Sequence, residues 1–139
     1  MPSAARPQIS SWKAPSVRMS MPTVVRRCGK PPIASRETEP WSSHITELAA
    51  LSNCSVKLSG LVTEANPDWT PEDLAPYSSH LLETFGPDRM MFGSDWPVCL
   101  LAATYDEVLL AAEDLTSQLS ADEQAEIFGG TAERCYGLK

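Results

Sequence analysis

The 139-residue chain has only two histidines, His44 and His80, and no pair of cysteines in a Cys-x-x-Cys spacing. Neither histidine stands at ligand distance from Cys28, Cys54, Cys99 or Cys135, which argues against a zinc-finger-type site. The leading segment holds no apolar core of the length a secretory signal needs, so the thiols read as reduced and mostly buried. No apolar run approaches the roughly 20 residues of a membrane span, and there is no Gly-rich phosphate loop. Acids are missing from residues 1–36, where Arg6, Lys13, Arg18, Arg26, Arg27, Lys30 and Arg36 fall. All 18 acids come later and bring the whole chain to a net charge of −7. So acidic a body disfavours a nucleic-acid-binding surface.

What is present is the composition of a globular protein, 42% apolar and 21% charged. The basic, Ser-rich start, residues 1–22, reads as a disordered leader ahead of one domain over residues 23–139. Cytoplasmic residence is the expectation. The alternative is a mitochondrial transit peptide, opposed by Pro2, Pro7, Pro15 and Pro22, which interrupt any amphipathic helix. A basic nucleic-acid-binding arm is the lowest-ranked reading of the same segment.

Beyond the leader, extended and helical patterns alternate. A short strand is expected at residues 23–28. A helix from Pro40 places Trp41, Ile45, Leu48, Ala49 and Leu51 on one face. Residues 55–60 alternate as a strand. Thr70-Pro71-Glu72-Asp73 opens a second long helix, with a capping residue, proline at the first helical position and acids at the positive end of the dipole. Its apolar stripe is Leu74, Tyr77, Leu81, Leu82 and Phe85. A strand at residues 89–93 follows, then a helix over 104–119 that turns Val108, Leu109, Ala112, Leu115 and Leu119 inward. Ser120-Ala121-Asp122-Glu123 is a capping box whose helix is expected to end at Gly129-Gly130. Strands alternating with helices indicate an α/β fold with a parallel sheet.

Residues 85–98 carry the most chemistry. Gly86-Pro87 ends a helix, the short apolar run that follows is a buried strand, and Gly93-Ser94-Asp95 delivers a carboxylate just past its end. In parallel α/β folds that edge is where ligands bind. An acid delivered there suggests a general base or a metal ligand.

Gly93-Ser94-Asp95-Trp96-Pro97-Val98, preceded by Phe85-Gly86-Pro87-Asp88-Arg89, resembles the last strand of the amidohydrolase-related TIM-barrel hydrolases. Within that group the likeness is to the sugar-lactone and pyrone-lactone hydrolases. The run from Val56 through Lys57, Ser59, Gly60 and Glu64 to Ala65 resembles the penultimate strand and its loop. Cys28-Gly29-Lys30-Pro31-Pro32-Ile33 resembles the loop after the preceding strand. The resemblance runs from about residue 24 to 138. It implies the last three βα units of a (β/α)8 barrel, a fold that typically takes about 250 residues. The chain is therefore expected to be a truncated portion of such an enzyme.

The implied activity is hydrolysis of a lactone or related cyclic ester or amide, with a small-molecule substrate and no nucleic-acid or membrane partner. Asp95 matches the catalytic aspartate that activates water and approaches the metal where one is bound. Lys57, Ser59, Thr63 and Glu64 match pocket positions, with Lys57 a candidate for oxyanion stabilisation and Trp96 for stacking on a sugar ring. Lys57 and Glu64 are weighed equally against structural or solvent-facing roles, as are Trp96, Trp69 and Arg89. A divalent metal such as zinc is implied by resemblance only. The superfamily's His-x-His pair is missing, so Asp95 would be a ligand only together with groups the chain lacks. Where the family has an Asp-His pair before the Gly-Lys-Pro loop, this chain has Arg26-Arg27, and arginine cannot act as a neutral ligand or base. Little activity is expected from the chain alone. The competing reading is a non-catalytic fragment or interaction module derived from such an enzyme.

Overall fold

A computed structural model describes residues 31–138. The expected leader, the strand at 23–28, Arg26-Arg27 and the first part of the Cys28–Ile33 block lie outside the described residues.

Two strands and six α-helical segments organise the rest. In chain order they are α1 (Trp41–Ala49), β1 (Val56–Leu58), α2 (Leu61–Glu64), α3 (Pro71–Phe85), β2 (Met90–Phe92), α4 (Tyr105–Leu115), α5 (Ala121–Ala125) and α6 (Thr131–Tyr136). β1 and β2 pair in parallel, with Val56 opposite Met90, Lys57 opposite Met91 and Leu58 opposite Phe92. Because the strands are parallel, α2 and α3 form the crossover between them. The expected α/β class and parallel pairing are therefore present, with both of the strands expected among the described residues.

The core lies where β1 and β2 meet the helices. Val56, Leu58 and Met90 pack with Leu74, Tyr77, Leu81 and Phe85 of α3 and with Val108, Ala111 and Ala112 of α4. Each large apolar side chain so enclosed stabilises the fold by roughly 1.5–3 kcal/mol. Trp41 of α1 stacks at a tilt on Tyr77, with centroids 5.3 Å apart. The Tyr77 hydroxyl donates to the carbonyl oxygens of Glu37, at 2.6 Å, and Pro32, which fastens the 31–37 segment to α3.

Capping boxes fix the helix starts. Thr70 N donates to Asp73 Oδ2 at 3.0 Å, Thr104 N to Glu107 Oε2 at 2.7 Å, and Ser120 N to Glu123 Oε2 at 2.9 Å. Each satisfies an amide that the helix leaves unpaired. No helix among the described residues is long and apolar enough to cross a membrane.

Four details differ from expectation. α1 stops at Ala49, which leaves Leu51 half exposed in the following turn instead of on the apolar face. The helix expected over 104–119 ends at Leu115, where the buried Thr116 hydroxyl turns back onto the Ala112 carbonyl at 2.8 Å. The strands are shorter than the alternation implied. Gly129-Gly130 does not end a helix: the chain widens into a π turn at Glu126–Gly130 and runs on through α6 to Gly137. Gly130 keeps ordinary right-handed helical angles, so its role is to leave space, not to reverse the chain.

Candidate functional site

The carboxyl ends of the two parallel strands open onto one edge. From β1 the chain continues through Ser59 to Gly60, which adopts a left-handed conformation at φ 72° and starts α2. From β2 it continues through Gly93, whose N–H donates to the Leu58 carbonyl at 3.1 Å and extends the ladder by one step. Asp95 is then held at φ 58°, a left-handed position that aspartate tolerates better than most residues. Its carbonyl accepts from Cys99 N–H at 2.9 Å, and the fully buried Cys99 anchors the turn Val98–Leu101.

Asp95 is half-buried. Its Oδ2 lies 3.3 Å from where a Cβ on Gly60 would stand, so the carboxylate leans across onto the end of β1. Ser59 leans the other way, its Oγ 3.1 Å from the corresponding position on Gly93. The structure thus brings together two of the expected residues, Asp95 and Ser59. It also brings in two that composition and periodicity did not single out, Gly60 and Gly93. A glycine within two residues of each strand's end was the available signal.

The other candidates lie around this pair. Lys57 shares with Ser59 the face of β1 opposite Val56 and Leu58, its Cδ 3.8 Å from the Cβ position of Gly93 and its Nζ 5.4 Å from the centroid of the Tyr136 ring in α6. Glu64 closes α2 and is half-buried. Trp96 follows Asp95 directly and is 65% exposed, with its N–H donating to Ser94 Oγ at 3.3 Å. Thr63 Oγ1 donates to the Gly60 carbonyl at 3.0 Å, within the first turn of α2.

Trp69 and Arg89 resolve to structural roles. Trp69 Nε1 donates to the Ala102 carbonyl at 3.2 Å and ties the segment before α3 to the one before α4. Arg89 spreads its guanidinium over carbonyl oxygens at two helix ends: Nε to Phe85 at 3.1 Å and Nη1 to Ala49 at 3.0 Å, with Leu51 and Thr84 also within reach. A cation is favoured at both of those negative helix ends. His80 is likewise structural, its Nε2 2.9 Å from the Ser42 carbonyl oxygen and its ring against Trp41. His44 is exposed on α1.

Behind the strand ends lies a cavity of about 20 Å³ lined by Leu58, Leu74, Phe92, Val108 and Leu115. It is apolar and about one water in size, a packing gap rather than a ligand site. Along the outer side, Thr63, Ala65 and Pro67 face Leu101 and Thr104 across an open groove of about 550 Å³. Among the described residues no three His, Cys, Asp or Glu side chains converge as metal ligands would.

A family model described as "Amidohydrolase" matches residues 20–138. An L-fucono-1,5-lactonase of Burkholderia multivorans is 47% identical over 128 residues, 83% of this chain and 43% of that protein. An L-fucono-1,5-lactonase of Burkholderia ambifaria is 39% identical over 119 residues, again 83% of this chain, and 41% of that protein. The crystal structure of an amidohydrolase from Burkholderia multivorans with bound zinc superposes with a TM-score of 0.73 at 48% identity, covering 81% of this chain and 42% of that one. The chain spans about two fifths of the length of these relatives.

Proposed function

This chain belongs to the amidohydrolase family, and on that basis we propose that it carries the carboxyl-terminal share of a lactone-hydrolysing site. The two described strands would be the last two of a (β/α)8 barrel. The substrate would be a sugar lactone such as L-fucono-1,5-lactone, the compound in the names of two similar relatives. One observation carries the reading: a half-buried carboxylate, Asp95, stands at the carboxyl edge of a parallel pair, where barrels of this kind place their chemistry.

The chemistry asked of Asp95 is proton abstraction. Its carboxylate takes a proton from water as the water oxygen attacks the lactone carbonyl carbon. The ring carbon–oxygen bond then breaks, the ring oxygen takes the proton held by Asp95, and an open hydroxy acid leaves with the carboxylate ionised again. Ser59, at the end of the neighbouring strand, and the exposed Trp96 ring would contact the sugar, and Glu64 would line the pocket from the end of α2. Lys57 is the expected residue that the geometry favours least as an oxyanion partner, because its ammonium lies over Tyr136.

A similar amidohydrolase holds zinc. Asp95 supplies carboxylate oxygens that suit such an ion. The described residues do not complete a zinc site around it, so no step of the reaction is assigned to a metal.

A second reading, a non-catalytic relative, is favoured by Arg26-Arg27 standing where the family has Asp-His. Replacing them by Arg26→Asp with Arg27→His and assaying lactone hydrolysis separates the two. Turnover that appears or rises, and disappears on adding Asp95→Asn, supports the hydrolase. Turnover indifferent to Asp95 contradicts the base assignment, and none in any variant supports the second reading.

A further inference from the structure

At the carboxyl edge, two glycines and two polar side chains lie crosswise. Asp95 reaches over Gly60, with Oδ2 3.3 Å from the site of a missing Cβ, and Ser59 reaches over Gly93, with Oγ at 3.1 Å and Cβ at 3.2 Å. A real Cβ at these distances would sit tighter than ordinary van der Waals contact, and the neighbour would have to give by a few tenths of an ångström. Gly60 has a conformational reason to be glycine as well, since φ 72° strains any L-residue. Gly93 lies outside that left-handed region, so only space accounts for it. Each segment therefore gives up a side chain where the other needs room for a polar one.

We propose that Gly60 is a positioning residue for Asp95, with Gly93 its counterpart for Ser59: without a Cβ at position 60, the carboxylate can lie across the end of β1 instead of turning out to solvent. Asp95 is itself anchored at φ 58° with its carbonyl bonded to Cys99 N–H, so its backbone cannot follow a displaced side chain. A methyl at position 60 moves the carboxylate by rotation about its own side-chain bonds, away from the strand end. The catalytic meaning of this contact rests on the reading of Asp95 as the base; the contact itself does not.

The test uses the full chain with ¹³C-labelled aspartate, the Asp95 carboxyl resonance being identified by its loss in Asp95→Asn. Gly60→Ala is expected to move that resonance while the other aspartates stay in place, and Gly93→Ala to move it far less. In parallel, Gly60→Ala is made with Asp95 present and with Asp95→Gly, which the left-handed backbone accepts. The unfolding constant should suffer about tenfold more from the methyl when the carboxylate is there, a coupling of the size seen between touching residues. If Gly60→Ala does not fold, Gly60→Asn adds the same Cβ with less backbone strain. An unmoved Asp95 resonance, or equal costs in the two backgrounds, makes Gly60 a conformational glycine only and overturns the proposal. Turnover unaffected by Asp95→Asn would remove the base assignment and leave the contact standing, so the two failures are distinguishable.

Discussion

The carboxylate of Glu126 occupies the space a side chain on Gly130 would need: Oε2 lies 2.7 Å from the site of that missing Cβ. The same oxygen pairs with Arg134 Nη2 at 2.5 Å, and Arg134 holds the carboxyl below its usual value. Nothing stands within 4 Å of the corresponding position on Gly129. Alanine at 129 should therefore stabilise the chain, by roughly 0.5–1 kcal/mol from helix propensity. Alanine at 130 should lose most of that gain by pushing Glu126 off Arg134. Denaturant unfolding of the two variants checks this, and an equal gain from both would show that the ion pair does not depend on Gly130.

Arg89 is the stability hub of the β2 entrance. It donates to carbonyls at the ends of α1 and α3 and stacks 5.1 Å from the Phe85 ring centroid. Arg89→Ala leaves several carbonyls without a donor and should cost about 2–3 kcal/mol. Arg89→Lys keeps the charge but cannot span two helix ends, so it should recover less than half of the loss. Thermal and denaturant unfolding read both values.

Acid should weaken the fold through its capping boxes. The Thr104 backbone N–H and hydroxyl lower the Glu107 carboxyl, and the Ser120 hydroxyl and backbone N–H lower Glu123. A carboxyl lowered in the folded state binds fewer protons there than in the unfolded chain, so its contribution is complete above the usual value of 4.5 and is lost as pH falls below it. The unfolding midpoint should drop between neutral pH and about pH 3. Thr104→Ala and Ser120→Ala should each lower the midpoint at neutral pH and flatten its acid dependence.

Local signals made most of the fold legible. Thr70-Pro71 and Ser120 to Glu123 named their helix starts because capping is chemistry within four residues. The placement of Asp95 could be read because strand, glycine and acid are contiguous. The features that escaped depend on neighbours distant in sequence. Gly130 looks like a helix end until Glu126 and Arg134 are seen around it, and Arg89 and Trp69 look like pocket residues until the carbonyls they serve, up to 40 residues away, come into place. Lys57 was readable as a strand residue, whereas the ring beside its ammonium, Tyr136, lies more than half the chain away.

The rate of lactone opening by the Arg26→Asp, Arg27→His chain, measured with and without Asp95→Asn, bears most directly on the carboxylate at the strand end. The account predicts that the asparagine variant loses a hundredfold or more of kcat, about what a general base contributes, with KM little changed. Equal rates from the two chains would contradict it.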